Sequence, residues 1–262
     1  MNKIPFLLSA IAAVCVAAAG CSGSGGEKDV LFQVSTLNAL SGGIYDGETT
    51  FSELKKHGDF GIGTFNALDG EMVAIDGEFF QVKSDGLAYP VPDTAKTPFS
   101  VVTFFEIDKL VSLDKPMDMK QLQEYIDTLL PTKNIFYAVK IEGRFDYVKM
   151  RSVPPQKKPY VPLSEAVKGQ TVFELKDIKG TVVGFRCPGY AGGFNLPGYH
   201  MHFITEGRNT GGHLLDFRTA GRATVEIDHT PRFSAFLPGD KEFYSAALEG
   251  GRADVLEKAE RQ

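Results

Sequence analysis

Two Asp-Gly dipeptides interrupt an alternating run of apolar and polar residues between positions 60 and 82. Asp-Gly between two such runs is a strong hairpin signal, because both central residues of a type I′ turn need positive φ. The segments 60–68, 71–75 and 78–82 are therefore predicted to form a three-stranded meander. This unit favours a strand-rich core.

Composition supports the same fold class. The 28 glycines, 14 prolines and 20 phenylalanines among 262 residues suit short strands joined by tight turns better than a helical bundle. One amphipathic helix is predicted over 118–130, behind an Asp118 cap. We expect an α+β fold with few helices and two packed subdomains of mixed β-sheet.

Further strands are predicted on both sides of a proline-rich stretch that runs from Pro154 to Pro162. Segments 136–141 and 145–153 are interpreted as a hairpin that turns at Glu142-Gly143-Arg144. The second half is predicted to contain five short strands: 172–175, 181–186, 199–205, 213–217 and 223–227. The proline-rich stretch predicts a boundary between an N-terminal subdomain, 30–158, and a C-terminal subdomain, 159–262.

The first 29 residues are predicted to lie outside the fold. A short positive start and an apolar stretch that ends in small residues are typical of an export signal, assigned to residues 1–20. Cys21 and the Ser/Gly-rich residues after it resemble the lipobox of bacterial lipoproteins, so 21–29 is interpreted as a flexible tether. We expect an exported protein, lipid-anchored to the cell envelope through Cys21, with periplasmic or secreted release as the alternative.

Charge and cysteine content narrow the function classes. The formal net charge is −5 and no long run of Lys or Arg is present, so no nucleic-acid partner is expected. After loss of Cys15 with the signal and lipidation of Cys21, Cys187 alone remains, and no intrachain disulfide is expected. Cys187 is predicted to be a small buried residue.

Three of the five histidines fall within 14 residues: His200, His202 and His213. Alternate residues of a strand point to one face, so His200 and His202 can offer two imidazoles to the same ion. If residues 206–212 contain a hairpin reversal, His213 begins the neighbouring strand beside them. The pattern predicts a site for Zn²⁺, or another divalent transition metal, on the C-terminal sheet, with coordination positions left open for water or substrate.

At these histidines the chain resembles the acetolactate decarboxylases, whose two histidines one residue apart are followed by Gly-Gly-His. The resemblance also covers residues 61–71 and 149–153 with 158–162, in the same order and with the same spacing. It implies a metal-dependent carboxy-lyase that converts 2-acetolactate to acetoin and carbon dioxide. It also implies a homodimer.

The resemblance assigns further site residues. The family's functional carboxylate after the Leu-Asp-Gly turn falls on Glu71, and its functional arginine falls on Arg151. A second carboxylate near the C-terminus falls on Glu260, with Glu257 as the competing position. The metal would act as a Lewis acid, the arginine would orient the anionic substrate, and a carboxylate would move a proton.

Two other function classes fit part of the pattern. His200, His202 and Glu206 imitate the first motif of a cupin-like metal-dependent enzyme, although His213 follows too soon for a cupin's later histidine. A non-catalytic lipoprotein that binds metal would need the three histidines but neither Glu71 nor Arg151. Mutation of Glu71 or Arg151 would therefore discriminate an enzyme from a metal-binding protein.

Overall fold

The computed structural model describes residues 27–248. Fourteen strands are present in this range: β1 (Val30–Val34), β2 (Thr49–Thr50), β3 (Phe60–Thr64), β4 (Glu71–Ile75), β5 (Glu78–Val82), β6 (Ala88–Pro90), β7 (Lys96–Thr97), β8 (Ser100–Thr103), β9 (Lys109–Leu113), β10 (Phe136–Ser152), β11 (Thr171–Cys187), β12 (Gly198–Thr205), β13 (Gly211–Thr230) and β14 (Arg232–Phe236).

The helices in the same part of the chain are few and mostly short: α1 (Leu37–Ser41), α2 (Phe51–Leu54), α3 (Met119–Leu129), α4 (Leu163–Ala166) and α5 (Lys241–Ser245). Single 3₁₀ turns occupy Asn66–Leu68, Val167–Gly169 and Gly189–Ala191. The strand-rich α+β class predicted from the sequence is confirmed. Among residues 27–248, no helix is both long enough and apolar enough to cross a membrane.

The first sheet has seven strands in the order β14-β1-β8-β3-β4-β5-β6. Its centre contains the predicted meander, because β3, β4 and β5 pair antiparallel in sequence order. Asp76 and Gly77 have φ of 54° and 78°, as a type I′ turn requires. At Asp69-Gly70 the predicted hairpin is present, but the type I′ turn is wrong, because Asp69 has φ of −78°. There the strand stops at Thr64, and a 3₁₀ turn makes the connection longer.

The second sheet has five strands in the order β10-β11-β12-β13-β9, and β13 also pairs with β10. Strands β10, β11, β12 and β13 therefore form a closed ring of pairs. The hairpin predicted at Glu142-Gly143-Arg144 is wrong, since β10 continues through these residues. Gly143 allows β10 to approach β13 closely, because a Cβ at this position would lie 2.7 Å from the Cβ of Ala223 on β13.

The other short strands predicted in the second half also join into longer ones. Strand β11 includes both 172–175 and 181–186, and β13 includes both 213–217 and 223–227. The polar and glycine residues between the predicted strands are tolerated because these long strands bend. Register shifts between β10 and β13 mark the bends.

The two sheets do not divide at the proline-rich stretch. Strands β9 and β10 precede residue 158 but belong to the five-stranded sheet, whereas β14 follows it and pairs with β1 in the seven-stranded sheet. The predicted boundary between residues 158 and 159 therefore does not separate the sheets. Each sheet is completed by strands from both sides of the boundary.

The main core lies between the two sheets. Ile62, Val73 and Val101 from the seven-stranded sheet belong to the same buried cluster as Val183 and Phe185 from β11. The opposite face of the five-stranded sheet packs against the predicted helix, α3, which Asp118 caps. Burial of its Leu122 and Ile126 contributes about 2 kcal/mol for each side chain.

Candidate metal centre

The three histidines reach one place because of the register between β12 and β13. His200 and His202 alternate along β12, and His202 is the direct cross-strand partner of His213. On its other side, His213 pairs with Arg151 of β10. Gly212 makes this approach possible, because at its φ of +146° a Cβ would lie 2.6 Å from the Arg151 carbonyl oxygen.

The imidazoles converge closely enough to share an ion. One nitrogen from each ring can be chosen so that all three lie within 4.8 Å of one another. His200 Nε2 lies 3.3 Å from His213 Nδ1. All three side chains are buried. Three buried nitrogen donors at these separations fit a divalent transition metal and leave room in its coordination sphere for further ligands.

Met72 determines how His202 presents its ring. His202 Nδ1 lies 2.7 Å from the Met72 carbonyl oxygen, which can only accept a hydrogen bond. Nδ1 therefore carries the hydrogen and Nε2 keeps its lone pair for a metal. Burial, and then the nearby charge of His200, hold the pKa of His202 well below its ordinary value, so this imidazole is neutral at physiological pH.

A carboxylate and a guanidinium lie beside the triad. Arg151 Nη1 donates a hydrogen bond of 3.0 Å to Glu71 Oε1, and Glu71 Oε2 lies 3.8 Å from His202 Nε2. Both Glu71 and Arg151 are buried. Glu71 begins β4 of the seven-stranded sheet, whereas Arg151 lies on β10 of the five-stranded sheet. The pair therefore joins the two sheets next to the histidines.

A cavity of about 30 Å³ lies at this junction. This is enough room for an ion with water. The three histidines, Glu71 and Arg151 line one part of it. Its remaining wall is mainly apolar and includes Leu40, Leu68, Phe99 and Leu163. The cavity thus combines a cluster of ionisable and metal-binding groups with a buried apolar wall.

Among the residues assigned from the sequence, the structure brings together Glu71, Arg151, His200, His202 and His213. Glu257 and Glu260 lie outside the described residues, as do Cys21 and the predicted export signal. His57 lies apart from the cluster, with its ring stacked on Phe32 at 3.8 Å. His229 also lies apart and contacts Tyr137.

Cys187 is buried, as predicted. Burial raises the pKa of its thiol to about 12, so the thiol is not a nucleophile at neutral pH.

Sequence reasoning missed several groups that shape the site. The Met72 carbonyl belongs to the backbone and leaves no signature in side-chain patterns. Leu40, Phe99 and Leu163 come from elements far apart in the chain. In the sequence they look like ordinary core residues, so no local signal could have assigned them to a cavity.

Two packed sheets and a buried three-histidine cluster beside a carboxylate–guanidinium pair define a class: strand-rich α+β proteins with a potential metal centre between their sheets. Within this class, the family model for alpha-acetolactate decarboxylase matches residues 31–250. The chain belongs to the alpha-acetolactate decarboxylase family.

Individual relatives agree with this assignment. An alpha-acetolactate decarboxylase from Methanosarcina mazei is 50% identical over 91% of this chain and 82% of its own length. One from Bacillus subtilis is 45% identical over 86% of this chain and 90% of its own length. The crystal structure of alpha-acetolactate decarboxylase from Bacillus subtilis strain 168 superposes with a TM-score of 0.87, at 44% identity, over 89% of this chain and all of that one.

Proposed function

We propose that this protein decarboxylates 2-acetolactate to acetoin and carbon dioxide. The observation that carries the proposal is the convergence of the three imidazoles, Glu71 and Arg151 at one cavity. The relatives named alpha-acetolactate decarboxylase support the choice of substrate. The activity is that of a carboxy-lyase.

The donor set fits zinc. His200, His202 and His213 would hold the ion, since neutral imidazoles are preferred zinc ligands. Other divalent transition metals accept the same ligands. When bound, the ion supplies a Lewis acid that stabilises negative charge developing on substrate oxygens.

The protein's own residues bind the substrate and manage the proton. Decarboxylation breaks the bond between the carboxylate carbon and C2, and the electron pair moves onto the neighbouring ketone as an enediolate. A proton must then reach carbon to give acetoin. Arg151 can orient the anionic substrate, because its planar guanidinium matches a carboxylate. Glu71, whose Oε2 lies 3.8 Å from His202 Nε2, would hold and deliver the proton.

A second carboxylate is proposed at Glu260, with Glu257 as the alternative. The family resemblance supports Glu260. Purified Glu260→Gln and Glu257→Gln proteins discriminate the two positions. We expect loss of acetoin formation from Glu260→Gln and retention by Glu257→Gln, and the reverse outcome would transfer the role to Glu257.

The test of the proposed function is acetoin production by zinc-loaded protein, measured colorimetrically. Wild type should produce acetoin, and His202→Ala should lose both bound zinc and activity. His57→Ala is the matched control, because His57 lies outside the cluster. Absence of product from zinc-replete wild type would reject the function. Zinc binding without any product would favour a non-catalytic metal-binding lipoprotein.

We also propose a homodimer formed through β14. In the described part of the chain, β14 pairs only with β1, and all five of its residues are exposed. Phe233 and Phe236 are 38% and 50% exposed. An exposed edge strand with large apolar side chains is a site for pairing with a second copy.

Light scattering tests the dimer. Wild type should have about twice the chain mass, and Phe233→Lys with Phe236→Lys should reduce the mass to that of one chain. Tyr244→Lys, at a strongly exposed position outside β14, is the control and should remain dimeric. Monomeric wild type would contradict this arrangement.

Export and lipid anchoring at Cys21 are proposed from the amino-terminal sequence. In a bacterial host, radiolabelled fatty acid should be incorporated into wild type and not into Cys21→Ser. Equal labelling of the two proteins would exclude this anchor. Unlabelled but exported wild type would indicate simple secretion.

A further inference from the structure

A second, larger cavity reaches the histidines from the opposite side of the five-stranded sheet. Its volume is about 450 Å³, which is ample for a small oxo acid. His200 and His213 line both this cavity and the small cavity that contains Glu71 and Arg151. The two cavities therefore meet at the triad.

The larger cavity lies where the pairing of β12 with β13 stops. The pairs run from Ile204↔Gly211 to His202↔His213 and end there. Continued in register, the next pairs would be Met201 with Leu214 and His200 with Leu215. These four residues instead line the cavity. We call this gap in the closed ring of strands the β12–β13 opening.

The residues that line the opening include neighbours whose side chains point to opposite faces of the sheet. His200 and Met201 are consecutive in β12 and so point to opposite faces, and Leu214 and Leu215 do the same on β13. The opening lies where β12 and β13 separate, with α3 at one end and His200 and His213 at the other.

The outer end of the opening is formed by the first turns of α3. Met119, Lys120 and Gln123 contribute to its lining. Lys120 is strongly exposed, and its ion pair with Glu124, at 3.8 Å, is too exposed to neutralise it fully. In a chain with a net charge of −5, this cation makes the mouth locally favourable for a small anion.

We propose that the β12–β13 opening is the route by which the anionic substrate reaches the triad, with Lys120 and Gln123 at its mouth. The inference rests on the proposed function for the identity of the substrate. The opening is by far the larger of the two cavities that meet at the triad, at about 450 Å³ against about 30 Å³. The opening supplies both the space and a polar, positively charged mouth.

Obstruction of the mouth is the direct test. In Gln123→Trp, a bulky ring at a half-buried lining position should lower kcat/KM for acetolactate by about tenfold or more. The rate at which pyridine-2,6-dicarboxylate extracts zinc should fall in parallel, because this chelator would use the same route. Thr128→Trp is the matched control, since Thr128 is exposed on the same helix and does not line the cavity.

A chemical version of the test keeps the fold constant. Gln123→Cys can be assayed before and after reaction with a bulky maleimide, with Thr128→Cys treated identically. Buried Cys187 should not react. Loss of activity and slower zinc extraction only after labelling at position 123 are expected, whereas unchanged rates in both assays would overturn the route.

Charge reversal tests the mouth independently. Lys120→Glu should raise KM several-fold at low ionic strength, and the increase should disappear in high salt. Lys115→Glu makes the same charge change at an exposed residue outside the lining and should leave KM unchanged. Equal KM values for the two variants would remove Lys120 from the proposal.

These outcomes separate the route from the function. Zinc extraction reports access to the triad whatever the substrate is. Active wild type with unaffected position-123 variants would overturn the route and leave the decarboxylase function intact. Inactive wild type with slowed zinc extraction in those variants would reject the function and keep the route to the triad.

Discussion

At the scale of single residues, the site depends on buried groups whose states are fixed by their neighbours. The Met72 carbonyl selects the His202 tautomer, and burial keeps that imidazole neutral. Arg151 donates to Glu71, which places a charge-assisted hydrogen bond beside the triad. The proposed metal ligand His202 and the proposed proton carrier Glu71 are therefore held in place by the protein itself.

Glu71→Gln tests the proposed proton carrier. The amide keeps the shape of the side chain but cannot exchange a proton, so kcat should fall by about 100-fold or more. Zinc content should stay at the wild-type level, because Glu71 is not among the three ligands. Glu78→Gln, on the neighbouring strand and exposed, is the control. A Glu71→Gln enzyme with wild-type kcat would remove this role.

The buried carboxyl of Asp228 should make the free energy of unfolding depend on pH. Burial, with Asp108, Asp29 and Glu106 nearby, raises the pKa of its carboxyl to about 7 from 3.8. Between these two pKa values the folded state binds more protons than the unfolded state. The contribution of Asp228 to stability is therefore fully present below about pH 4 and is lost as pH rises to about 7. Asp228→Asn should remove this loss.

Chemical denaturation of wild type and Asp228→Asn at two pH values provides the measurement. At pH 8 the variant should be more stable, by on the order of 3 kcal/mol, with little difference at pH 4. Equal stabilities at both pH values would show that the carboxyl is not perturbed in the folded protein.

At the scale of elements, local patterns predicted strands better than their ends. The alternation and Asp76-Gly77 were enough for the meander, because that turn is determined by its own two residues. The Glu142-Gly143-Arg144 segment has the composition of a turn, yet β10 passes through it. The reason is a contact with Ala223, 80 residues later in the chain, which no local pattern contains.

A methyl group at position 143 should therefore destabilise the pairing of β10 with β13. Gly143→Ala should destabilise the protein by about 1–3 kcal/mol, because the new Cβ would meet Ala223 at 2.7 Å. Gly169→Ala is the matched control, since a Cβ there has no atom within 4 Å. Similar unfolding midpoints in urea for the two variants would contradict a close-approach role for Gly143.

The candidate site, too, could be predicted where it depends on local sequence and not where it depends on distant contacts. Strand alternation placed His200 and His202 on one face, and a hairpin brought His213 to them. The family resemblance, rather than any spacing rule, selected Glu71 and Arg151. The apolar wall and the β12–β13 opening could not be predicted, because they depend on how the sheets pack and where a strand ladder stops.

At the scale of the whole molecule, the site belongs to neither sheet alone. The seven-stranded sheet contributes Glu71 and the Met72 carbonyl, and the five-stranded sheet contributes Arg151 and the histidines. Strands from both sides of residue 158 complete each sheet. Correct packing of the two sheets is therefore a condition for assembling the site.

Metal removal should consequently weaken the whole fold. An ion that binds only the folded state at 1,000 times its dissociation constant adds about 4 kcal/mol, which corresponds to roughly 10 °C in Tm for a chain of this size. Calorimetry should show this decrease when wild type is treated with a chelator. His202→Ala should melt at one temperature with or without chelator, and an equal response of both proteins would exclude the triad as the stabilising site.

We propose that an ion held by His200, His202 and His213 is required for decarboxylation. The most direct test of this requirement is acetoin formation by metal-stripped wild type during titration with zinc. The rate should rise from background in proportion to bound zinc and stop rising at about one ion per chain, as expected for one three-imidazole site. Full activity in protein shown by elemental analysis to contain no metal would contradict the claim.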